Sequence, residues 1–239
     1  VSGCGFGSLP STKTKSSKAK PTQVSRDYTL EEAVRDKRFW ILYACFICAA
    51  FSLMFFTQNA SLIILEGLSQ TMSREAVLTS VVPVFLTISA VAGLMGRFGW
   101  GVIADKLGLW NTLWVVYLVP AILMAAFYLG YHSKMLIFVI GFIFYFCSGG
   151  EPVIHYAIVP HVFGRRHLGK VMSILNAFSV GVGIACGPFV GAYIKDITGG
   201  YYWALVLAIA IRLCGTVFAI IGLRLDKKAQ ISVDTSIAK

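Results

Sequence analysis

The stretch Gly93-Leu94-Met95-Gly96-Arg97-Phe98-Gly99-Trp100-Gly101-Val102-Ile103-Ala104-Asp105-Lys106-Leu107-Gly108 decides how this chain is read. It begins as the end of an apolar run long enough to span a membrane, and Arg97 stands inside that run, well before its polar boundary at Asp105-Lys106. An arginine at mid-helix costs about 2.5 to 3.5 kcal/mol on an insertion scale, so it is expected to face a bundle interior or a wet cavity. At about 100° per residue, Ala90, Gly93, Gly101 and Ala104 all fall within about 40° of Arg97. The arginine therefore shares a stripe of small residues of the kind that lets a second helix approach closely.

Working outward, the whole 239-residue chain has membrane composition: 57% of it is hydrophobic and only 13% charged. A span needs about 20 apolar residues, and six fit, roughly over residues 40–65, 77–97, 110–130, 135–158, 171–194 and 201–223. The fold class expected is an all-α membrane protein of six transmembrane helices. Residues 1–38 read as a basic linker, 39–223 as the six-span unit and 224–239 as a tail. Within the linker, residues 1–26 are rich in Gly, Ser, Thr and Lys and read as disordered. Thr29 and Glu32 have capping-box spacing, which predicts a short helix near 30–37.

A net charge of +10 raises the question of a nucleic-acid partner. Its distribution argues against one. If the spans alternate, the linker, the 98–109 loop, the 161–170 loop and the tail lie on one side and hold nearly all the Lys and Arg outside the spans. That is the positive-inside pattern, with both termini cytoplasmic. The start of the chain shows no signal peptide. Of six cysteines, only Cys45 and Cys48 have metal-ligand spacing and nothing answers them, so the cysteines read as small packing residues, with no metal site and no cofactor. No catalytic constellation is present either: there is no phosphate-cradling loop and no nucleophile with a plausible base, so an enzyme is not expected.

Gly101-x-x-Ala104-Asp105-Lys106-x-Gly108 resembles the loop signature of the major facilitator superfamily. Gly96-Arg97-Phe98 upstream resembles its oxalate/formate antiporter and monocarboxylate transporter branch, as does Tyr28-Thr29-Leu30-Glu31-Glu32-Ala33 followed by Phe39-Trp40. The resemblance implies the C-terminal six-helix half of a twelve-helix carrier, built as a 3+3 inverted repeat, with an N-terminal six-helix half as its missing partner. It also implies that Arg97 binds a substrate carboxylate, a task suited to a guanidinium, which stays charged and offers two parallel hydrogen bonds. Gly101, Asp105, Lys106 and Gly108 would form a cytoplasmic loop that latches the carrier. Oxalate/formate exchangers carry an intramembrane lysine on the fifth helix of this half, and residues 176–183 hold none. One cation rather than two points to a monocarboxylate.

Other polar groups inside the spans are candidates as well. Gln58 and Asn59, in the first span, could line a substrate cavity or bond between helices. In the fourth span Glu151 and His155 share a face at i and i+4, where a carboxylate and an imidazole could carry protons or gate; a polar pair that fixes packing is the alternative. Two glycines before Pro152 weaken the helix there. Gly183, Gly187 and Gly191, at intervals of four in the fifth span, read with Gly93 as helix-packing positions. Arg212, in the sixth span, is expected to pair with an acid or with backbone rather than to meet substrate.

The function expected is a secondary active carrier of small organic anions, in the lipid bilayer of the plasma membrane, moving a monocarboxylate by proton symport or anion exchange. The alternatives are a non-transporting sensor or scaffold, and an inactive or homodimeric half-transporter.

Overall fold

The computed structural model describes residues 27–237, and the disordered linker expected over 1–26 lies outside them. Helices follow one another with short turns: α1 (Leu30–Arg35), α2 (Lys37–Leu68), α3 (Arg74–Ala76), α4 (Val82–Leu107), α5 (Leu109–Gly130), α6 (Lys134–Gly149), α7 (Glu151–Phe163), α8 (Leu168–Thr198) and α9 (Tyr202–Ile237). No strand occurs among the described residues. Thr29 caps α1 through a reciprocal box with Glu32. One π turn, Val77–Val81, joins α3 to α4 immediately before Pro83, which has no N–H to offer a regular helical ladder.

By length and composition six helices can cross a membrane: Lys37–Leu68, Arg74–Leu107, Leu109–Gly130, Lys134–Phe163, Leu168–Thr198 and Tyr202–Ala229. Most of them outrun the apolar segments that mark them. A helix does not stop where hydropathy does, because its backbone hydrogen bonds continue into the polar region until a turn residue breaks them. This corrects the loop expected at 98–109. Gly101, Asp105 and Lys106 lie inside α4, and the turn shrinks to Gly108, whose φ of +84° only glycine adopts without strain. Gly164, at φ +82°, closes α7 in the same way. Residues 224–237, expected as part of a tail over 224–239, continue α9 as helix.

The spans pair selectively: α2 lies along α8 and α9, α4 along α6, and α5 along α6 and α9. Exchanging the first three spans for the last three leaves this pairing unchanged, as a three-plus-three repeat requires. Two apolar cores result. One gathers Phe39, Phe46, Trp110, Tyr117, Ile154 and Phe163; the other gathers Phe55, Phe56, Phe85, Phe127, Phe144 and Tyr201.

The helices approach through glycine. A Cβ on Gly96 would strike the carbonyl of Phe146, one on Gly149 the backbone of Gly93, and one on Gly150 the ring of Trp100. Gly183, Gly187 and Gly191 likewise meet Ala50, Phe51 and Phe55 of α2. By contrast, a Cβ on Gly101 meets nothing within 4 Å. The closest contact of α4 therefore runs along Gly93 and Gly96 rather than along the full Arg97 stripe.

At the end of the bundle that holds α1, Arg38 bonds to both carboxylate oxygens of Asp36, to Asp226 of α9 and to the Tyr28 hydroxyl. The Tyr28 N–H donates to the carbonyl of Phe163, and Asp27 accepts from the N–H groups of Arg165 and Arg166, which ties the entry segment to the α7–α8 turn. Burial raises the Asp36 carboxyl, and hydrogen bonds from the Arg38 side chain and N–H outweigh it, leaving Asp36 below its ordinary value.

Two outcomes are expected. Gly96→Ala lowers stability by about 1–3 kcal/mol, the range for overpacking, whereas Gly101→Ala is near neutral, read from the melting temperature of each purified variant in nanodiscs. Because the folded-state pKa of Asp36 is depressed, its stabilisation is present above the ordinary carboxylate pKa and is lost as pH falls through the lowered value. An acid titration of stability should therefore be shallower in Asp36→Asn than in wild type.

Candidate substrate cavity and buried ion pair

Arg97 lies ten residues before the end of α4, about 15 Å at helical rise. Its side chain is exposed at an open cavity of about 650 Å³ lined by α2, α4 and the α6–α7 break. Leu53, Met54 and Thr57 come from α2, Leu86, Ser89, Ala90, Gly93 and Leu94 from α4, and Tyr145, Ser148, Gly149 and Pro152 from the broken span. The wall is mostly apolar. Among the described residues no carboxylate pairs with Arg97, and no other charged side chain lines the cavity.

Two buried hydroxyls on the cavity wall, those of Ser148 and Tyr145, are not committed elsewhere among the described residues. The buried Ser148 hydroxyl has no hydrogen-bond partner. The Tyr145 hydroxyl lies beside Thr57 without a hydrogen bond of good geometry. Buried polar groups are normally satisfied, so spare donors on a wall that also carries a cation are chemically suited to an anion. The sequence reading overlooked Thr57, Tyr145 and Ser148. Their signal was there, since Tyr145, Ser148 and Pro152 recur at i, i+3 and i+7 on one helical face.

Gln58 and Asn59 are not brought to Arg97. Gln58 is exposed outside the cavity, and Asn59 is buried, donating to the carbonyl of Phe55 beside Gly191. Each residue turns a helix by about 100°, so with Thr57 on the cavity side Asn59 lies well round the helix, against α8.

The second intramembrane arginine has a different fate. Arg212 is wholly buried and ion-paired with Glu151, and it also donates to the hydroxyl of Ser52 (3.1 Å) and more loosely to the carbonyls of Ala49, Tyr117 and Val116. Its guanidinium lies 5.8 Å from the Tyr117 ring centroid. His155 extends the network from the next turn of α7: its Nε2 is 2.6 Å from the Tyr117 hydroxyl and its ring stacks on Phe46 at 3.9 Å. Glu151 and His155 thus both reach toward α5 and away from the Arg97 cavity, although Pro152 between them lines it. Asp105 and Lys106 are exposed at the end of α4, and Asp105 has no ion-pair partner among the described residues. Cys45 and Cys147 are buried, and no group of three metal-ligating side chains comes together among the described residues.

Removing one partner of a buried pair leaves an uncompensated charge, which costs about 3–5 kcal/mol. Arg212→Met is therefore expected to destabilise strongly, and Glu151→Leu with Arg212→Met to restore much of the loss. Thermal unfolding of the purified variants in nanodiscs checks this, and additive losses would contradict it.

Comparison with known proteins places this geometry in a family. The family model of the Major Facilitator Superfamily matches residues 6–150. Curated relatives include the MFS transporter asaE of Aspergillus flavus, 27% identical over 54% of this chain and 29% of its own length. The MFS-type transporter YhjX of Escherichia coli is 24% identical over 68% of the chain and 39% of its own length. Monocarboxylate transporter 13 of Rattus norvegicus is 27% identical over 55% and 31%. The chain spans between 29% and 39% of the length of these relatives. The family model covers more than half of the chain, and six helices of the bundle are long and apolar enough to cross a membrane; the chain belongs to the Major Facilitator Superfamily as an integral, multi-pass membrane protein.

Proposed function

We propose that the protein containing this chain is a secondary active transporter of organic anions, and that a monocarboxylate is its substrate. The observation that carries the reading is Arg97: an intramembrane guanidinium that has no carboxylate partner among the described residues and opens to an apolar cavity whose wall also carries Thr57, Tyr145 and Ser148. Inside a low-dielectric cavity a cation–carboxylate pair is far stronger than in water, and one unpaired cation calls for one negative charge. The partial likeness to a rat protein named as a monocarboxylate transporter agrees with this, as does the resemblance of Gly96-Arg97-Phe98 to that branch.

In this reading an N-terminal six-helix half covers the exposed faces of α4 and α8 and closes the cavity, and alternating access exposes Arg97 to either side in turn. Glu151 and His155 are the coupling groups. Protonation of Glu151 would leave Arg212 without its counter-charge and loosen the α2, α5, α7 and α9 contacts, linking a proton to a change of helix packing. Asp105 and Lys106, free at the helix end, are placed to latch the same conformational change. The basic end of the bundle is cytoplasmic, and the membrane is the plasma membrane.

Uptake of labelled pyruvate, lactate, formate and oxalate into liposomes holding the full-length protein tests the reading, with and without a pH gradient. Uptake of a monocarboxylate is expected, lost by at least about tenfold in a correctly folded Arg97→Lys, since a bidentate contact is worth more than about 1.4 kcal/mol. Gradient dependence separates symport from exchange. Equal transport by wild type and variant would remove Arg97 from the substrate site.

A further inference from the structure

The shape and chemistry of the Arg97 cavity specify more than a charge. Along α4 it runs from Leu86 to Arg97, eleven residues or about 16 Å, with the guanidinium at one end. Between them the wall is Leu86, Ala90 and Leu94 on one side and Leu53, Met54 and Pro152 on the other. Its volume of about 650 Å³ lies in the range of about 300–1,000 Å³ typical of sites that enclose drug-sized ligands. A one- or two-carbon acid would occupy only the Arg97 end and leave the apolar length to water, which such a wall does not hold well.

Resting on the carboxylate reading above, we infer that the substrate is an amphipathic organic monoanion: a carboxylate on Arg97 with an extended aliphatic or aromatic body laid along the Leu86–Ala90–Leu94 wall. Arg97 is the only charged side chain among the described residues that line the groove, so the apolar length beyond it accepts nothing charged. Selectivity then comes from length. Each buried methylene is worth up to about fourfold in affinity, so binding rises along a homologous series until the wall is filled. Ala90 is a point of control, because a larger side chain on this stretch of the wall would take up part of the groove that the body would occupy.

The test is calorimetric binding of acetate, butyrate, hexanoate and octanoate to the full-length protein in nanodiscs. Empty nanodiscs correct for partition into lipid, and hexanamide serves as the uncharged control. Hexanoate is expected to bind at least about tenfold more tightly than acetate, with hexanamide much weaker than hexanoate. In Ala90→Leu the hexanoate-to-acetate ratio should fall several-fold, and in Arg97→Gln the preference for hexanoate over hexanamide should vanish. If acetate and hexanoate bind equally and Arg97→Gln removes both, the carboxylate reading stands and the extended-body inference is overturned. If no carboxylate binds, or Arg97→Gln changes nothing, both are overturned. Because the chain-length series on wild type decides the matter alone, a poorly folded Ala90→Leu does not obscure the result.

Discussion

The buried pair of Arg212 and Glu151 is the constraint on which the rest of the bundle depends. A charge deep in a membrane protein is tolerated only with a partner, and here one guanidinium on α9 draws ligands from three helices: Ser52 and Ala49 of α2, Val116 and Tyr117 of α5, and Glu151 of α7. On each helix the polar position falls between the two apolar cores. Ser52 lies between Ala49 and Phe55, Tyr117 near the boundary before Met124, Glu151 between Phe144 and Ile154, and Arg212 between Ala208 and Ala219. The pair therefore fixes helix register. Apolar packing alone would leave register loose, because lipid is as apolar as the core and offers little penalty for sliding.

Glycine sets how near the helices come once register is fixed. One seam joins α4 to α6 and α7 through Gly93, Gly96, Gly149 and Gly150, and the other joins α8 to α2 through Gly183, Gly187 and Gly191. The first seam also shapes the cavity. Where α6 gives way to α7 at Gly150, the span loses its continuity, and Ser148, Gly149 and Pro152 come to line the space beside Arg97. Irregular backbone at membrane depth belongs where protein or a cavity satisfies it, and both conditions meet at this break.

The two intramembrane arginines show how one residue type serves two ends. Arg212 has a carboxylate, a hydroxyl and carbonyls around it and is satisfied within the fold; among the described residues Arg97 has no carboxylate partner, and it faces an open cavity. Insertion of either is costly by a similar amount. What differs is that the folded protein supplies the opposite charge to Arg212, whereas in the proposed function an incoming anion supplies it to Arg97.

Sequence alone determined the six apolar spans, the all-helical class, the weak point at Gly149–Gly150–Pro152 and the face on which Arg97 stands. All of these follow from hydropathy and the helical period, which act over one or two turns of a single helix. It could not separate Gln58 and Asn59 from Thr57 as cavity residues, nor extend the helices past their apolar limits, nor bring Glu151 to Arg212 across 61 residues of chain. Those outcomes depend on how each helix is rotated and bent against its neighbours, and rotation is fixed only when the glycine seams and the buried ion pair close together. The tertiary structure thus decided which arginine is satisfied within the fold and which is left facing the cavity.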